Sequence, residues 1–517
     1  MCSTLSGSDH SVAIARGNIR ERDNCCSEIE LKLSGNVDAL AAVFGSMDDG
    51  NSHASRVIST YYDTTDTRLW RKGYSFRLRR NREGYELTLK HESGFVRGEW
   101  TSRVNAPVAD ISRLPATAPH HDLDLGTCDI VPVCASDITR RQKLLNANAA
   151  SIEVSLDVGR IVAGGRETPV AELEFELLSG PVADMLRHVR SILADHGLSA
   201  FTCSKAARGM TLYDSALSVT TRAPRPHLRP GDTLDEAVGR YSAGVAIHIL
   251  QNICVAAEGR DPEGVHQVRV GLRRFRSAIG LLRPYLDPRA AAMNKRAKLA
   301  SGQLGTARDL DVLVRETLPR ILRGSALEPG LAKLAETARA RMVDARRDVR
   351  TLAVDPSFNC FLIDLLLFGQ SGGLVIRERD TPVGRISRPL LKRRHRQLLK
   401  AGRDFATLSD RQRHKVRIGV KKLRYACEFF HAQYPADSTR PYIRRLANLQ
   451  KHLGRHNDLI VARRLTGDLF SGTNDTAVNA QELMRLFDNR LRASNSRLLR
   501  EWERTARAEP FWRTKTM

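Results

Sequence analysis

Charged residues alternate with apolar residues along five short segments in the first 180 positions. In the segment EIELKL, Glu28, Glu30 and Lys32 occupy every second position, and isoleucine or leucine occupies the positions between them. Because successive side chains of a β-strand point to opposite faces, this spacing predicts strands with one charged face and one apolar face. The other four segments repeat the pattern with Arg77 and Arg79, with Lys90, with Glu153 and Asp157, and with Glu172, Glu174 and Glu176.

The repetition of this charged face favours a bound ligand. One such strand would be typical of a half-exposed sheet with a solvated face. Five are harder to explain in that way, since alternating carboxylates repel one another and gain nothing in water. Carboxylates on one wall and Arg or Lys on another suit a divalent cation that bridges to a phosphate chain, because Mg²⁺ binds few carboxylates plus substrate oxygens. The P-loop pattern GxxxxGK[ST] does not occur in this region, which excludes that route to phosphate chemistry.

Seven motifs follow one another along the first 210 residues. They are E-x-E-x-K at 28–32, YYDT at 61–64, RLRR at 77–80, LTLK at 87–90, RGEW at 97–100, the three alternating glutamates at 172–176, and SKAARG at 204–209. Their order resembles that of a CYTH domain, a family also called the triphosphate tunnel metalloenzymes. The resemblance covers about residues 26–215. It implies an eight-stranded antiparallel barrel, open as a tunnel, whose lumen carries the charged face. It also implies hydrolysis of triphosphate substrates with Mg²⁺ or Mn²⁺, by attack of a metal-oriented water on a terminal phosphoryl group.

The same resemblance implies roles for individual residues. The metal site would comprise Glu28, Glu30, Glu99, Asp157, Glu172, Glu174 and Glu176. The triphosphate clamp would comprise Lys32, Arg77, Arg79, Lys90 and Arg141, with Lys205 and Arg208 on a plug-like segment. The catalytic group would be Glu28, Glu30, Lys32, Glu172 and Glu174. Arg140 and Arg141 have opposite parity, so one of them faces the lumen, and Arg141 is the predicted one. Thr101 stands where the family often has another carboxylate, which leaves metal stoichiometry and the activity of the tunnel open.

A basic motif is written twice in the second half of the chain. HQVRVGLRRFR begins at His266 and HKVRIGVKKLR at His414, and each is followed by an echo, LGTARDLD from Leu304 and LGRHNDLI from Leu453. Steps of three and four place one histidine and three basic residues of each copy on one helical stripe. Uncompensated like charges at this spacing favour an anionic ligand. The candidate polyphosphate-binding residues are His266, Arg269, Arg273, Arg274, Arg276, His414, Arg417, Lys421, Lys422 and Arg424.

This repeat resembles the CHAD domain over about residues 232–515. The resemblance implies two similar all-α four-helix bundles whose basic faces meet in a groove that binds inorganic polyphosphate. Nucleic acid is a less favoured partner, since single-strand binders use stacking aromatics and few lie near either copy.

The charge balance supports a division of the chain. The 517 residues carry 82 Lys and Arg against 58 Asp and Glu, a net charge of +24. Residues 1–220 have a net charge of −3 and residues 221–517 one of +27. We therefore expect an α+β multidomain protein with a loose tail at 1–24, a tunnel domain at 25–218, a linker at 219–231 and a helical domain at 232–517. The chain shows no long apolar span or secretory signal, so we expect a cytoplasmic protein, associated with polyphosphate granules, without a membrane partner.

The leading hypothesis is a metal-dependent triphosphatase that cuts inorganic triphosphate or short polyphosphate in the tunnel and binds polyphosphate with its helical domain. One alternative is a polyphosphate-binding or targeting protein without catalysis. Another is a tunnel enzyme that acts on thiamine triphosphate or nucleoside triphosphates. The oligomeric state stays open.

Overall fold

The computed structural model describes residues 26–47, 52–81, 84–92, 96–119, 123, 129–217, 220–224, 228–259, 261–323, 332–470 and 477–513. The predicted tail at 1–24 and part of the predicted linker lie outside the described residues. The chain divides into two compact units. The first comprises Met1–Ala223, Ser242–Val268 and Ala353–Gly372, and the second comprises Pro224–Tyr241, Arg269–Leu352 and Gly373–Met517. The domain boundaries expected at 218 and 231 remain predictions.

The described part of the first unit contains nine antiparallel strands. They are β1 (Cys26–Ser34), β2 (His53–Thr64), β3 (Tyr74–Asn81), β4 (Gly84–His91), β5 (Val96–Val104), β6 (Ile130–Ala147), β7 (Ala150–Ala163), β8 (Arg166–Ser179) and β9 (Ser199–Phe201). The sheet order is β5-β4-β3-β2-β6-β7-β8-β1-β9, and β1 also pairs with β5. This pairing closes eight strands into a barrel, so the predicted eight-stranded antiparallel barrel is confirmed.

Strand β1 closes the barrel by changing its partner. Its residues 26–29 pair with β5, whereas residues 30–34 pair with β8 on one edge and residues 32–34 pair with β9 on the other. The short strand β9 therefore takes the place of β5 along the second half of β1, and the backbone groups of both halves are paired.

Two tight turns set the register of the wall opposite β3 and β4. Asn148 has a φ of 53° in the turn between β6 and β7, and Gly164 and Gly165 have φ of 55° and 74° between β7 and β8. Turns with positive φ match the twist of paired strands. They bring Arg140 on β6, Asp157 on β7 and Glu172 on β8 level with one another.

The helices are numbered along the chain. They are α1 (Val37–Ser46), α2 (Arg68–Arg71), α3 (Val182–Asp195), α4 (Lys205–Tyr213), α5 (Leu234–Glu258), α6 (Pro262–Leu282), α7 (Arg289–Gln303), α8 (Gly305–Asp311), α9 (Leu318–Leu322), α10 (Ala332–Val354), α11 (Pro356–Ser371), α12 (Val383–Ala401), α13 (Asp410–Phe429), α14 (Ala436–Phe470) and α15 (Ala477–Ala506), with a π-helical segment, Val312–Thr317, between α8 and α9. The predicted helical second half is therefore confirmed, whereas its division into two four-helix bundles stays a prediction.

Helix α3 covers the apolar outer face of the barrel. It buries residues at positions 182, 185, 186, 189 and 193, the spacing of an amphipathic helix, and the ring of His188 contacts Phe175 on β8. Helix α11 packs on α3 and β9 within the same unit. Arg190 donates to Asp364 at 2.6 Å, and the amide of Ala200 donates to the side chain of Asn359 at 2.8 Å. Asp364 is the one acidic residue in the otherwise apolar segment from Phe361 to Phe368, and it forms an ion pair with Arg190.

Helix α4 packs against strands β6, β7 and β8 of the barrel. Ser204 caps its N-terminus by accepting a hydrogen bond from the amide of Ala207 at 3.0 Å. Ala206 and Met210 of α4 belong to an apolar cluster that includes Ile138 and Ile161. These isoleucines share strand parity with Arg140 and Asp157, so α4 packs against the lumen face.

The second unit is helical and has its own apolar core. One cluster joins α9, α10, α14 and α15 through residues such as Ile321, Ala338, Ala462 and Phe487. The two copies of the basic motif lie on α6 and α13, and their echoes lie on α8 and α14. Taken singly, none of the described helices is long and apolar enough to cross a membrane, although one bent pair, residues 336–354 with 356–370, meets that test together.

Candidate functional site

The lumen of the barrel is lined by the charged faces of its strands. A cavity of about 240 Å³ opens there. Its charged lining residues are Glu28, Glu30, Lys32, Arg77, Arg79, Glu86, Lys90, Glu92, Arg97, Glu99, Arg140, Glu153, Glu174, Glu176 and Lys205. The structure therefore brings most of the predicted tunnel residues to one cavity.

Three buried carboxylates cluster at this site, and one of them, Glu174, lines the cavity. Oxygen atoms of Asp157, Glu172 and Glu174 all lie within 4.8 Å of one another. The ammonium group of Lys205, at the start of α4, contacts all three, at 2.6 Å from Asp157, 2.5 Å from Glu172 and 2.8 Å from Glu174. Lys32 also contacts Glu174. A position surrounded by three carboxylates is thus already held by a positive charge.

Neighbouring cations lower the pKa of two of these carboxylates, those of Glu174 and Asp157, despite their burial. Desolvation acts to raise the pKa of Glu174, but Lys205, Lys32 and Arg140 together hold that pKa well below its ordinary value. The pKa of Asp157 is lowered in the same way, because Lys205 and Arg140 outweigh desolvation and the neighbouring Glu174. Charged carboxylates in a lumen are available as ligands for a hard cation.

A second group of charges lies along β1, β3, β4 and β5. Lys90 contacts Glu28 at 2.8 Å and Glu99 at 3.0 Å. Arg77 lies 3.7 Å from Glu99. Desolvation acts to raise the pKa of Glu99, and Lys90 and Arg77 more than offset it, so the pKa is lowered. The two groups of carboxylates thus have separate sets of counter-charges.

Glu176 differs from the other lumen carboxylates. Burial, followed by repulsion from Glu28 and Glu30, raises its pKa to about 8. Among the described residues it has no hydrogen-bond or ion-pair partner. It is therefore protonated at neutral pH in the ligand-free protein, unlike Glu174 on the same strand.

Arg79 is a cation without a carboxylate partner among the described residues. It donates to Ser59 at 3.3 Å. Burial and the nearby guanidinium groups of Arg77 and Arg140 lower its pKa to about 10. A cation in this environment gains from an anionic ligand in the lumen.

The prediction that Arg141 faces the lumen was wrong, because Arg140 does. Arg140 points into the lumen, where it bonds Asp157 at 2.6–2.7 Å and Glu174 at 2.5 Å. Arg141 lies on the opposite face, where it donates to Ser52 at 3.4 Å and stacks over Phe44. The reason is the register of β6 and β7: Arg140 is paired with Asp157, so both share the lumen face. The turn at Asn148 could have revealed this pairing from sequence.

Arg97 is a lumen residue that the sequence reasoning missed. Its side chain is 3% exposed and contacts Glu30 at 3.1 Å and the carbonyl oxygen of Thr202 at 2.7 Å. It shares parity with Glu99 on β5, and that alternation was the available signal. The predicted Arg208 contacts Glu172 from α4, and Thr101 bonds Thr88 and Glu99 at 3.4 Å.

The donor set fits a hard divalent cation. All the acidic groups of the lumen are carboxylates, the ligands of Mg²⁺ and Mn²⁺, and three of them converge around the position of the Lys205 ammonium. Asp157, Glu172 and Glu174 are thus the residues best placed to hold such an ion.

The basic motifs meet within the second unit. Arg417 and Arg273 act on Lys421 from α13 and α6, and burial together with these two charges lowers the pKa of Lys421 to about 6. Arg273 donates to the hydroxyl of Tyr425 at 3.0 Å rather than to a carboxylate. The cluster carries more positive than negative charge and places two cations beside a lysine that is largely neutral at pH 7.

Each copy of the basic motif has one aspartate, from its echo segment, near its first arginine. Burial lowers the pKa of Arg269, and Asp309 is the opposite charge that acts on it. Burial likewise lowers the pKa of Arg417, and its counterpart is Asp458. Each echo motif thus supplies one acidic residue to the arginine of its own copy.

The remaining motif residues fall in different surroundings. Glu428 lies 3.4 Å from Arg274 and 3.3 Å from Arg424. Burial, with Arg394 and Arg276, lowers the pKa of Lys422. His414 is exposed and bonds Asn457 at 2.8 Å, while His266 belongs to the first unit.

The chain is an α+β multidomain protein. It contains an antiparallel β-barrel with a charged lumen and a helical region that carries a duplicated basic motif. Residues 27–210 match the CYTH domain family and residues 245–467 match the CHAD domain family. The chain therefore carries a CYTH domain followed by a CHAD domain, as its motifs predicted.

Known proteins that are similar to parts of the chain include the following three. An inorganic triphosphatase from Haemophilus influenzae is 31% identical over 159 residues, which are 30% of this chain and 45% of that protein. The chain thus spans less than half the length of this relative. The crystal structure of the CHAD domain from the plant Ricinus communis is 30% identical and aligns over 53% of this chain and 96% of that chain, with a TM-score of 0.44. A putative adenylyl cyclase from Hippeastrum, described as having a dominant triphosphatase activity, is 13% identical over 37% of this chain and 95% of that chain, with a TM-score of 0.25.

Proposed function

We propose that the tunnel hydrolyses inorganic triphosphate or short polyphosphate with Mg²⁺ or Mn²⁺, and that the helical domain binds inorganic polyphosphate. The observation that carries the first part is the juxtaposition of ionised buried carboxylates with arginine and lysine in one lumen. A phosphate chain and a divalent cation together need both signs of charge in one place.

The chain's own residues divide the work. Asp157, Glu172 and Glu174 would hold the cation, and Glu28, Glu30, Glu99 and Glu176 are further candidates. Lys32, Arg77, Arg79, Lys90, Arg97, Arg140, Lys205 and Arg208 would hold the phosphate oxygens. The bound cation would orient the attacking water and neutralise charge that develops on the phosphate. Most of the catalysis then comes from positioning and from fixed charges, so a side-chain nucleophile is not required.

The size and lining of the lumen favour an inorganic substrate. Its cavity of about 240 Å³ is below the usual range for sites that enclose drug-sized ligands. Tyr61 and Ala206 are the lining residues that offer an apolar surface, and the rest are charged or polar. A nucleoside or thiamine group would find little apolar surface there, whereas an inorganic oligophosphate needs none.

Phosphate release from tripolyphosphate tests the catalytic proposal. We expect release by the full-length protein with Mg²⁺ or Mn²⁺ and none with EDTA. Glu174→Gln should lower the rate at least about 100-fold, because it removes a fixed charge at the reacting centre. Glu167→Gln is the matched control, since Glu167 lies on the same strand but pairs with Arg160 on the exposed surface. Full activity of Glu174→Gln would contradict the proposal.

Point variants also separate the two domains. Arg273→Ala with Lys421→Ala should weaken retention on long-chain polyphosphate and leave tripolyphosphate hydrolysis within about twofold. Truncation at residue 232 is a poorer test, because Ser242–Val268 and Ala353–Gly372 belong to the same compact unit as the barrel. Unchanged polyphosphate retention by the double variant would refute the assignment of the α6 and α13 motifs.

A tunnel that binds but does not cleave is the second candidate. Thr101 favours it, since this residue supplies a hydroxyl where a further carboxylate would raise the number of acidic ligands. Saturable binding of tripolyphosphate without phosphate release in either metal would establish this candidate.

A further inference from the structure

A cavity in the second unit lies apart from the duplicated motif. Its volume is about 580 Å³, within the range of small-molecule sites. Three elements form its walls: the π-helical segment with α9, the middle of α14 and the second half of α15. The lining positions on α14 and α15 recur at spacings of three and four, so each helix presents one face to the cavity.

Unpaired arginines surround this cavity. Arg323, Arg455, Arg490 and Arg497 line it, and within the described residues none of them has a hydrogen-bond or ion-pair partner. Arg320, a fifth, is paired with Glu316 at 3.3 Å. Five arginines line the cavity against two carboxylates, those of Glu316 and Asp458, so positive charge prevails there. Like charges repel one another, and guanidinium groups match phosphate oxygens.

The floor of the cavity is apolar. Leu498 is 1% exposed and Ile321 is 4% exposed, and both line it together with Leu459 and Val312. A phosphate chain alone would leave this surface without a partner. A ligand that carries both phosphate groups and a ring system would cover the floor and reach the arginines.

The cavity is not a copy of the repeated stripe. With the offset of 149 that relates the two echoes, His452, Arg455 and His456 correspond to Gln303, Thr306 and Ala307. These three basic lining residues of α14 therefore have no basic counterpart in the first echo. Glu316, which also pairs with Arg308 at 3.3 Å, and Asp458 lie on the side of the cavity towards the cations of the motif.

We propose that this cavity is a second anion site, which binds a nucleoside polyphosphate with its phosphates on the arginines and its base on the apolar floor. The proposal does not rest on triphosphatase activity in the tunnel. Arg455 and Arg497 are the two arginines to test, because both act on His452, whose pKa is lowered by burial and by their charges.

Calorimetric titration of the full-length protein with the ATP analogue AMP-PNP tests the proposal. Work in EDTA prevents metal-dependent binding in the tunnel. The double variant Arg455→Ala, Arg497→Ala should bind AMP-PNP at least about tenfold more weakly than the wild type, since it loses two charge-assisted contacts. The matched control is Arg444→Ala, Arg500→Ala, which removes two exposed arginines from the same helices outside the cavity and should bind within about twofold.

Two further arms identify the site and the ligand. The groove variant Arg273→Ala, Lys421→Ala should keep its AMP-PNP affinity. Leu459→Asn, which makes the floor polar, should weaken AMP-PNP binding and leave tripolyphosphate binding within about twofold. An equal loss for tripolyphosphate in the Leu459→Asn variant would overturn the assignment of the base to the apolar floor. Equal AMP-PNP affinity of cavity and control variants, or no saturable binding by the wild type, would overturn the site. Unchanged far-ultraviolet dichroism and melting temperature exclude misfolding as the cause of a loss.

Discussion

We expect Lys421 to take up a proton when the helical domain binds polyphosphate. Its pKa falls from the usual 10.5 to about 6, through burial and the charges of Arg273 and Arg417, with Asp458 opposing and Arg269 adding to the effect. At pH 7.5 a lysine with this pKa is about 3% protonated. A polyanion beside it favours the ammonium form and raises its pKa back through the assay pH. Binding at pH 7.5 should then take up to about one proton from the buffer.

The size of the effect on affinity follows from linkage. If one proton is taken up on binding, the association constant falls up to about tenfold for each pH unit between pH 7 and 9. The ligand-free fold has a related dependence. Between about pH 6 and the usual value of 10.5, the unfolded chain holds a proton on Lys421 that the folded chain lacks, so the free energy of unfolding rises with pH across that window.

Calorimetry in buffers of different ionisation enthalpy measures the uptake directly. Long-chain polyphosphate at constant ionic strength should give one proton per site for the wild type and markedly fewer for Lys421→Arg, because an arginine stays charged throughout. The Lys421→Arg variant should also bind more tightly than the wild type at pH 9. An identical proton uptake and pH slope in the two proteins would refute the reasoning.

Three further predictions concern the tunnel. Arg140→Gln should lower kcat/KM for tripolyphosphate roughly 10- to 100-fold through loss of a charge-assisted contact, whereas Arg141→Gln should change it less than about twofold, and steady-state kinetics of both variants against one wild type decides. Lys205→Met removes the counter-charge of three buried carboxylates, so in EDTA it should lower the free energy of unfolding by about 3–5 kcal/mol, and Mg²⁺ should restore part of this loss. Calorimetric melting that shows no loss of stability in EDTA would contradict this prediction. Gly209→Ala would bring a Cβ atom into a clash with the sulfur of Cys134, so it should destabilise the barrel by about 1–3 kcal/mol and lower phosphate release. A melting temperature equal to that of the wild type would count against close packing of α4.

The alternation of charge was sufficient to predict the lumen face of most strands. Glu28, Glu30 and Lys32 all lie on that face, because strand parity depends on the local chain alone. Where two basic residues were adjacent, parity left two answers, and the register of the neighbouring strand decided between Arg140 and Arg141. Register depends on turns and on partner strands, which a single segment does not contain.

Contacts between segments distant in sequence were beyond reach of the pattern. The apolar run from Phe361 to Phe368 is typical of a buried helix, yet its spacing does not say against which element it packs. In the structure α11 packs on α3 and β9 of the first unit, and Asp364 pairs with Arg190 from 174 positions earlier. The duplicated motif, by contrast, was visible because a repeat is a property of the sequence itself.

Buried lysines are paired with carboxylates in the tunnel, whereas Lys421 of the helical domain lies among arginines. This difference determines what a phosphate ligand has to replace or supply in each domain. In the tunnel Lys32, Lys90 and Lys205 already contact carboxylates, so a phosphate chain has to replace existing ion pairs, and a divalent cation offsets that cost by taking over the carboxylates. In the helical domain Lys421 lies among arginines and gives up its proton, so a phosphate chain replaces no ion pair of that lysine and supplies the missing negative charge itself. Metal dependence is therefore expected for the ligand of the tunnel, and pH dependence for the ligand of the helices.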